Sequence, residues 1–234
     1  MATFEAQVEA LTSIDITSTS TPNQAELSQF LVDGVLDVTS KWIAVRPNEN
    51  GLFQRVTSAL IANDTTTLNG AQIVSIVRED GNTVNRWNEC RFIQPSLQHR
   101  VTDTTSIHYS SRINPSFTIL ENGIINVYPA PAASPNRFKV YYVNHEPMDA
   151  SGGDLTYSDS DIKFFPKDKV LLVSLYAAIK TIEAKLADYS VTEEDTELVQ
   201  SLMPTLQSLK VDYNGSFLPT NVTQVAQQRR RAGE

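Results

Sequence analysis

Two long stretches of helical periodicity bracket a stretch that lacks it, and this order limits the fold more than any other feature. From about Asn23 to Val45, Leu27, Phe30, Leu31, Val35, Val38 and Trp42 recur at spacings of three and four. That pattern predicts one amphipathic helix, ended by Pro47. A second stripe, Val170, Leu171, Leu175, Ala178, Ile179, Ile182 and Leu186, predicts a helix entered at Pro166 and running to about Asp188. A third helix is expected to start at Thr192 as cap, with Asp195 as its box-like partner and Glu193, Glu194 and Asp195 in the first turn. Its stripe is Leu198, Leu202, Leu206 and Leu209, and Pro204 is expected to kink it. Near the start, Phe4, Val8 and Leu11 suit a short helix within residues 2–14, which the run TSTSTPN breaks.

Between these helices the composition shifts to Val, Ile and Thr. Strands are expected at Phe53–Ile61, Ala71–Val77, Thr83–Trp87 and Ile107–Ser110, with turns at Asn69-Gly70 and Asp80-Gly81. Pro95–Val101 reads as one or two helical turns. Phe117–Leu120 and Ile124–Tyr128 are expected to pair across Asn122-Gly123 as a type I′ hairpin. That pairing puts Thr118, Leu120, Ile125 and Val127 on one face, and Phe117, Ile119, Ile124 and Tyr128 on the other. Neither face is cleanly polar, so both need covering. Lys139–Val143 is expected as the third strand, reached through PAPAASPN, a loop stiffened by Pro129, Pro131 and Pro135 and closed by Asn136.

The fold class is therefore α+β: a helical bundle, made of the long N-terminal helix and a C-terminal helix hairpin, with a β-rich insertion and an extended C-terminal tail. The expected divisions are 1–49 (helical), 50–148 (the β-rich insertion), 149–165 (an acidic linker), 166–213 (the helix hairpin) and 214–234 (the tail).

Of 234 residues, 41% are hydrophobic and 20% charged, as in an ordinary globular chain. The net charge of −8 argues against a protein whose main task is to grip phosphates. The single cysteine, Cys90, excludes an intrachain disulfide. The first residues show no signal-peptide pattern, and the longest apolar run, Val170–Ile182, is broken by Ser174 and Lys180, so no membrane span is expected. His99, His108 and His145 form neither HExxH nor an i, i+4 pair. NECRFIQ around Cys90 matches no nucleophile signature, and there is no GxGxxG, P-loop or GxSxG. Gly152-Gly153 lies in an acidic stretch without the order of a calcium loop. No catalytic residue, metal ligand or cofactor is expected. The one basic run is Arg229, Arg230 and Arg231.

One longer pattern resembles a known family. It comprises IINVYPAPAASPNRFKVYYVNHEP, an acidic stretch, FFP and the helix KVLLVSLYAAIKTIEAKLADYS. Upstream of these lie VSIVREDGNTVNRWNECRFIQP, the PSLQHR turn and SIHYSS. Over roughly residues 25–190 the chain resembles virion proteins of tailed bacteriophages, in particular the head-to-tail connector (adaptor, or head-completion) proteins beneath the portal. The resemblance implies a non-enzymatic structural protein that is assembled in the host cytoplasm and incorporated at the head-to-tail interface. It implies a homo-oligomeric ring, a dodecamer, between the portal protein and the next neck or tail protein, with DNA passing through the lumen without sequence-specific binding. It also implies portal contact through the tail, where Phe217, Leu218, Val222 and Arg229–Arg231 are the candidates. The loop with Pro129, Pro131, Pro135 and Asn136 would then face the neck or tail. Two alternatives stay open: another neck or tail component of tail-completion type, and a glycan- or receptor-binding virion module using Tyr109, Tyr128, Tyr141 and Tyr142.

Overall fold

In the computed structural model, which describes residues 2–63, 68, 71–192 and 196–217, helix and sheet are segregated along the chain. The order is α1 (Phe4–Thr12), α2 (Gln24–Val45), β1 (Gln54–Val56), β2 (Ile73–Glu79), β3 (Trp87–Glu89), β4 (Arg91–Phe92), α3 (Gln98–Val101), β5 (Ser116–Ile119), β6 (Ile125–Tyr128), β7 (Phe138–Val143), α4 (Val170–Thr192) and α5 (Thr196–Gly215). The chain divides into two units: a helical one, residues 1–49 with 146–234, and a β-rich one, residues 50–145. Among the described residues no helix is long and apolar enough to cross a membrane.

In the helical unit α4 is the axis on which α1, α2 and α5 pack. Its neighbours bury Val173, Ala177, Ala178 and Ile182, and even Ser174 and Thr181 on its other faces. A helix covered on most sides reads as a wide apolar stripe, and this one does, except that Leu171 of the expected stripe is exposed. α2 opens with a complete capping box. The Asn23 side chain accepts from the N–H groups of Ala25 and Glu26, and the Glu26 carboxylate accepts from the Asn23 N–H. Its buried line is Leu27, Leu31, Val35, Val38 and Trp42. Midway along, Gly34 lets α2 come close to α4: a Cβ there would lie 3.1 Å from Tyr176 Cδ1 and 3.3 Å from Val173 Cγ1. Thr192, expected to cap the last helix, is instead the last residue of α4, and Glu193–Asp195 lie outside the described residues. α5 continues through Pro204 and buries Leu206, Leu209 and Tyr213.

The acidic segment is more than a linker. Leu155, Ile162 and Phe165 are buried, and the carbonyls of Tyr157 and Asp159 accept from the N–H groups of Glu5 and Phe4 at the start of α1. Asp149 is consumed locally, accepting from Gly152 N, Gly153 N and the Ser151 hydroxyl.

The β-rich unit stacks two sheets. One has the order β1-β7-β2-β3 and is antiparallel; the other has the order β4-β5-β6, with β4 parallel to β5. Ile76, Phe138, Val140 and Tyr142 of the first sheet share one core with Phe117, Ile125 and Val127 of the second. Four expectations are corrected here. The β5–β6 register pairs Phe117 with Val127 and Ile119 with Ile125, one residue away from a two-residue Asn-Gly turn, because Glu121–Gly123 form a 3-10 turn. The apolar face is thus Phe117, Ile119, Ile125 and Val127. β7 pairs with β1 and β2 in the other sheet, not with β6. Ile107–Ser110 is a turn rather than a strand, and β3 starts only at Trp87. The Asn69-Gly70 turn lies outside the described residues.

The tight α2–α4 crossing gives a prediction. Gly34→Leu should destabilise the helical unit by about 3 kcal/mol through overpacking. Gly34→Ala should stay within about 1 kcal/mol of wild type, since its helix-propensity gain offsets a tight contact. Denaturant melts followed by circular dichroism check both.

Candidate docking loop

Arg78 and Glu79 are neighbours on β2, so their side chains leave opposite faces of the sheet. Both are buried, Arg78 at 1% relative exposure and Glu79 at 0%. Charges this deep are tolerated only when their hydrogen-bonding capacity is filled, and the Pro-rich loop fills it on both sides.

Arg78 serves the loop's carbonyls. Its Nε donates to Pro129 O at 2.9 Å, and Nη2 donates to Ala130 O at 3.4 Å and to Asn136 Oδ1 at 3.2 Å. Its Nη1 donates to Glu79 O at 2.8 Å. Proline lacks an N–H, so a segment with Pro129, Pro131 and Pro135 is rich in acceptors and poor in donors. A guanidinium, with five donors and no acceptor, is the matching side chain.

Glu79 holds the other end of the loop. Its Oε2 accepts from Arg137 N at 3.0 Å and from Arg137 Nε at 3.1 Å. Its Oε1 accepts from Arg137 Nη2 at 2.6 Å and from Asn85 N at 3.2 Å. The two-point contact of Arg137 with the carboxylate, reinforced by those backbone N–H groups, holds its pKa down at about 2 despite burial. The backbone completes the clamp: Glu79 N donates to Arg137 O and Gly81 N to Pro135 O. Within the loop, Ala132 N donates to Asn136 O and Asn136 N to Ala133 O.

A second loop, residues 80–86, lies against the first. Asp80 Oδ1 accepts from Asn82 N and Thr83 N, and Gly81 adopts φ +80°, which the turn requires of a residue without Cβ. The tip of the β-rich unit is therefore two interlocked loops fastened to β2. Its apex, Ala132–Ser134, is exposed.

The sequence-predicted residues fall out as follows. Pro129, Pro135 and Asn136 are gathered by this clamp, and Pro131 lies between them on the same loop. Phe217 is buried in the helical unit, its ring 5.1 Å from Tyr213 and 6.1 Å from Trp42. Leu218, Val222, Arg229, Arg230 and Arg231 lie outside the described residues. Of the tyrosines, Tyr142 is buried and the Tyr128 hydroxyl donates to Gln98 Oε1, while Tyr109 is exposed. Burial pushes the Cys90 thiol up to about 12, well away from a thiolate nucleophile at neutral pH. Among the described residues no three His, Cys, Asp or Glu side chains are placed to hold a metal ion. A groove of about 620 Å³ lies beside Ile73, Val74, Phe92, Phe117 and Ile119 and is open and mainly apolar. Arg78, Glu79 and Arg137 were not singled out by sequence reasoning. The available signal was the charged pair that continues the apolar run QIVSIVRE without a break.

No protein-family model matches the chain, and no curated protein matches it.

The Glu79 carboxyl supplies a pH test. Because its folded pKa lies below the ordinary 4.5, its contribution is complete above that value and is lost as pH falls from 4.5 through about 2. Glu79→Gln should lower the melting temperature at neutral pH by about 5 °C and flatten the acid-side loss between pH 4.5 and 2. Calorimetry across that range checks it.

Proposed function

We propose that the chain is a ring-forming structural adaptor that joins the portal to the neck or tail of a tailed phage and lines the DNA passage, without a catalytic step. In this reading the helices form a bundle that carries the β-rich insertion, and copies assemble into a dodecameric ring. The observation that carries the proposal is the Pro-rich loop held by Arg78 and Glu79. A loop whose acceptors are filled before any partner arrives loses little conformational freedom on docking, which is what a contact element in a stacked assembly needs.

Two further features support the reading. The β-rich unit exposes large aliphatic side chains, Ile61, Val84, Ile107 and Ile113 among them, apolar area that a neighbouring subunit would cover. The negative net charge suits a passage along which phosphates slide without being held. The C-terminal segment would reach the portal through Leu218, Val222 and Arg229–Arg231. Phe217 is already fixed against Trp42 and Tyr213, so it would act as the anchor from which that segment leaves. The loop with Pro129, Pro131, Pro135 and Asn136 would meet the next neck or tail protein.

Electron microscopy of the purified chain, alone and mixed with the portal protein, tests this. Rings alone or on the portal are the expected result, with the 129–137 loop on the face turned away from the portal. A monomer that never joins the portal would rule the adaptor assignment out and favour a tail-completion or receptor-binding protein.

A further inference from the structure

The charge of the chain is unevenly divided. Residues 50–145 carry eight Lys and Arg against six Asp and Glu, a net of +2. The remaining residues carry eleven against 21, a net of −10, which together give the −8 of the whole chain. Part of the cationic excess is gathered beside the Pro-rich loop, where residues 111–115 lie against the 80–86 loop. The Arg112 stem passes so close to Gly81 that a Cβ there would lie 2.7 Å from its Cδ, and the Asn88 amide donates to Arg112 O at 3.1 Å.

Arg112 is exposed, and among the described residues it forms no ion pair. The carboxylates closest to it along the clamp are engaged. Glu79 is bound by Arg137, and Asp80 accepts from two backbone N–H groups and lies 3.6 Å from Arg86 Nε. Arg112 also stands near enough to buried Arg78 for the two positive charges to oppose each other. Arg112 is thus an exposed cation without a carboxylate partner among the described residues, open to an acidic group from outside. Next to these arginines the chain exposes Val84 at 56% and Ile113 at 84%. Cations among bare aliphatic groups have the make-up of an interface rather than of a solvated face.

We propose that this flank, Val84, Arg86, Arg112 and Ile113, seats on the acidic helical unit of a second copy of the chain. The inference rests on the ring reading and supplies the contact between subunits. A flank of the unit with net charge +2 meeting the unit with net charge −10 joins two different patches, so the contact is head-to-tail, the kind that forms a ring when its rotation closes. The Pro-rich loop apex beside it is left for the next protein in the stack.

The test uses the full chain, alone and with the portal protein, by mass photometry and sedimentation at 50 mM and 500 mM salt. Wild-type assembly should weaken about tenfold at the higher salt. R86E/R112E should weaken it by about tenfold or more at low salt with an unchanged circular-dichroism melt, and R86K/R112K should restore it. In a mixed isotope-labelled sample of R86K/R112K, a carbodiimide should join position 86 or 112 to carboxylates in residues 2–49 or 146–217 of the other copy. Rings that form equally well with R86E/R112E would overturn this contact and leave the ring reading standing. A chain that never oligomerises, alone or on the portal, would overturn both. If R86E/R112E assembles normally but loses binding to duplex DNA, the flank reads phosphate instead, and the subunit contact is wrong.

Discussion

The β-rich unit depends on one adjacent pair of buried charges. Arg78 and Glu79 are buried at the end of β2, where an unpaired ion would cost several kcal/mol. They are tolerated because the Pro-rich loop meets both, with carbonyls for the guanidinium on one face and the Arg137 guanidinium for the carboxylate on the other. The dependence runs both ways. A loop with three prolines cannot form a ladder with β2 and would otherwise leave its carbonyls to water. Strand, loop and the 80–86 turn are therefore tied to one another by the same two side chains, and the loop is held before it meets anything.

The helical unit reaches rigidity by other means. α4 is wrapped by three helices, and Gly34 lets α2 approach it closely. The end of α5 is fastened by polar and aromatic contacts at once. The Tyr213 hydroxyl donates to Asp37, which also pairs with Lys41, and Phe217 packs on Tyr213 and Trp42. Trp42 in turn has Arg46 and Lys169 over its ring and donates from Nε1 to Glu49. Whatever follows Phe217 leaves from a fixed point. A fixed loop on one unit and a fixed exit on the other are what a connector with two partners needs, in the reading proposed above.

What could be read from the sequence follows the range of the interactions. The helices at 24–45 and 170–192 are visible because their signal, an apolar residue every three or four, lies within the helix itself. The α2 start is visible for the same reason, Asn23 and Glu26 being three residues apart. The β5–β6 register was not. Thr118 and Leu120 compete with Phe117 and Ile119 for the inner face, and with both faces partly apolar the alternation does not choose between registers one residue apart. The Asn-Gly signal then favoured the shorter turn. The partners of β7 were hidden because β1 and β2 lie far back along the chain, and local pattern carries no pairing information. The Pro-rich loop is half legible. Its prolines announce stiffness, but Arg78 and Glu79 find their partners 51 to 58 residues away, so nothing nearby indicates what holds it.

In the isolated chain the 129–137 loop is held in place by Arg78 and Glu79. Amide hydrogen exchange on the isolated chain tests it most directly, through the N–H groups of Gly81, Asn136 and Arg137, which donate to the loop or to Glu79. They are expected to exchange as slowly as the N–H groups of β2 and β7, and to open together with them. Exchange at the rate of an unstructured peptide, with β2 and β7 still protected, would contradict it and make the loop a segment that orders only on docking.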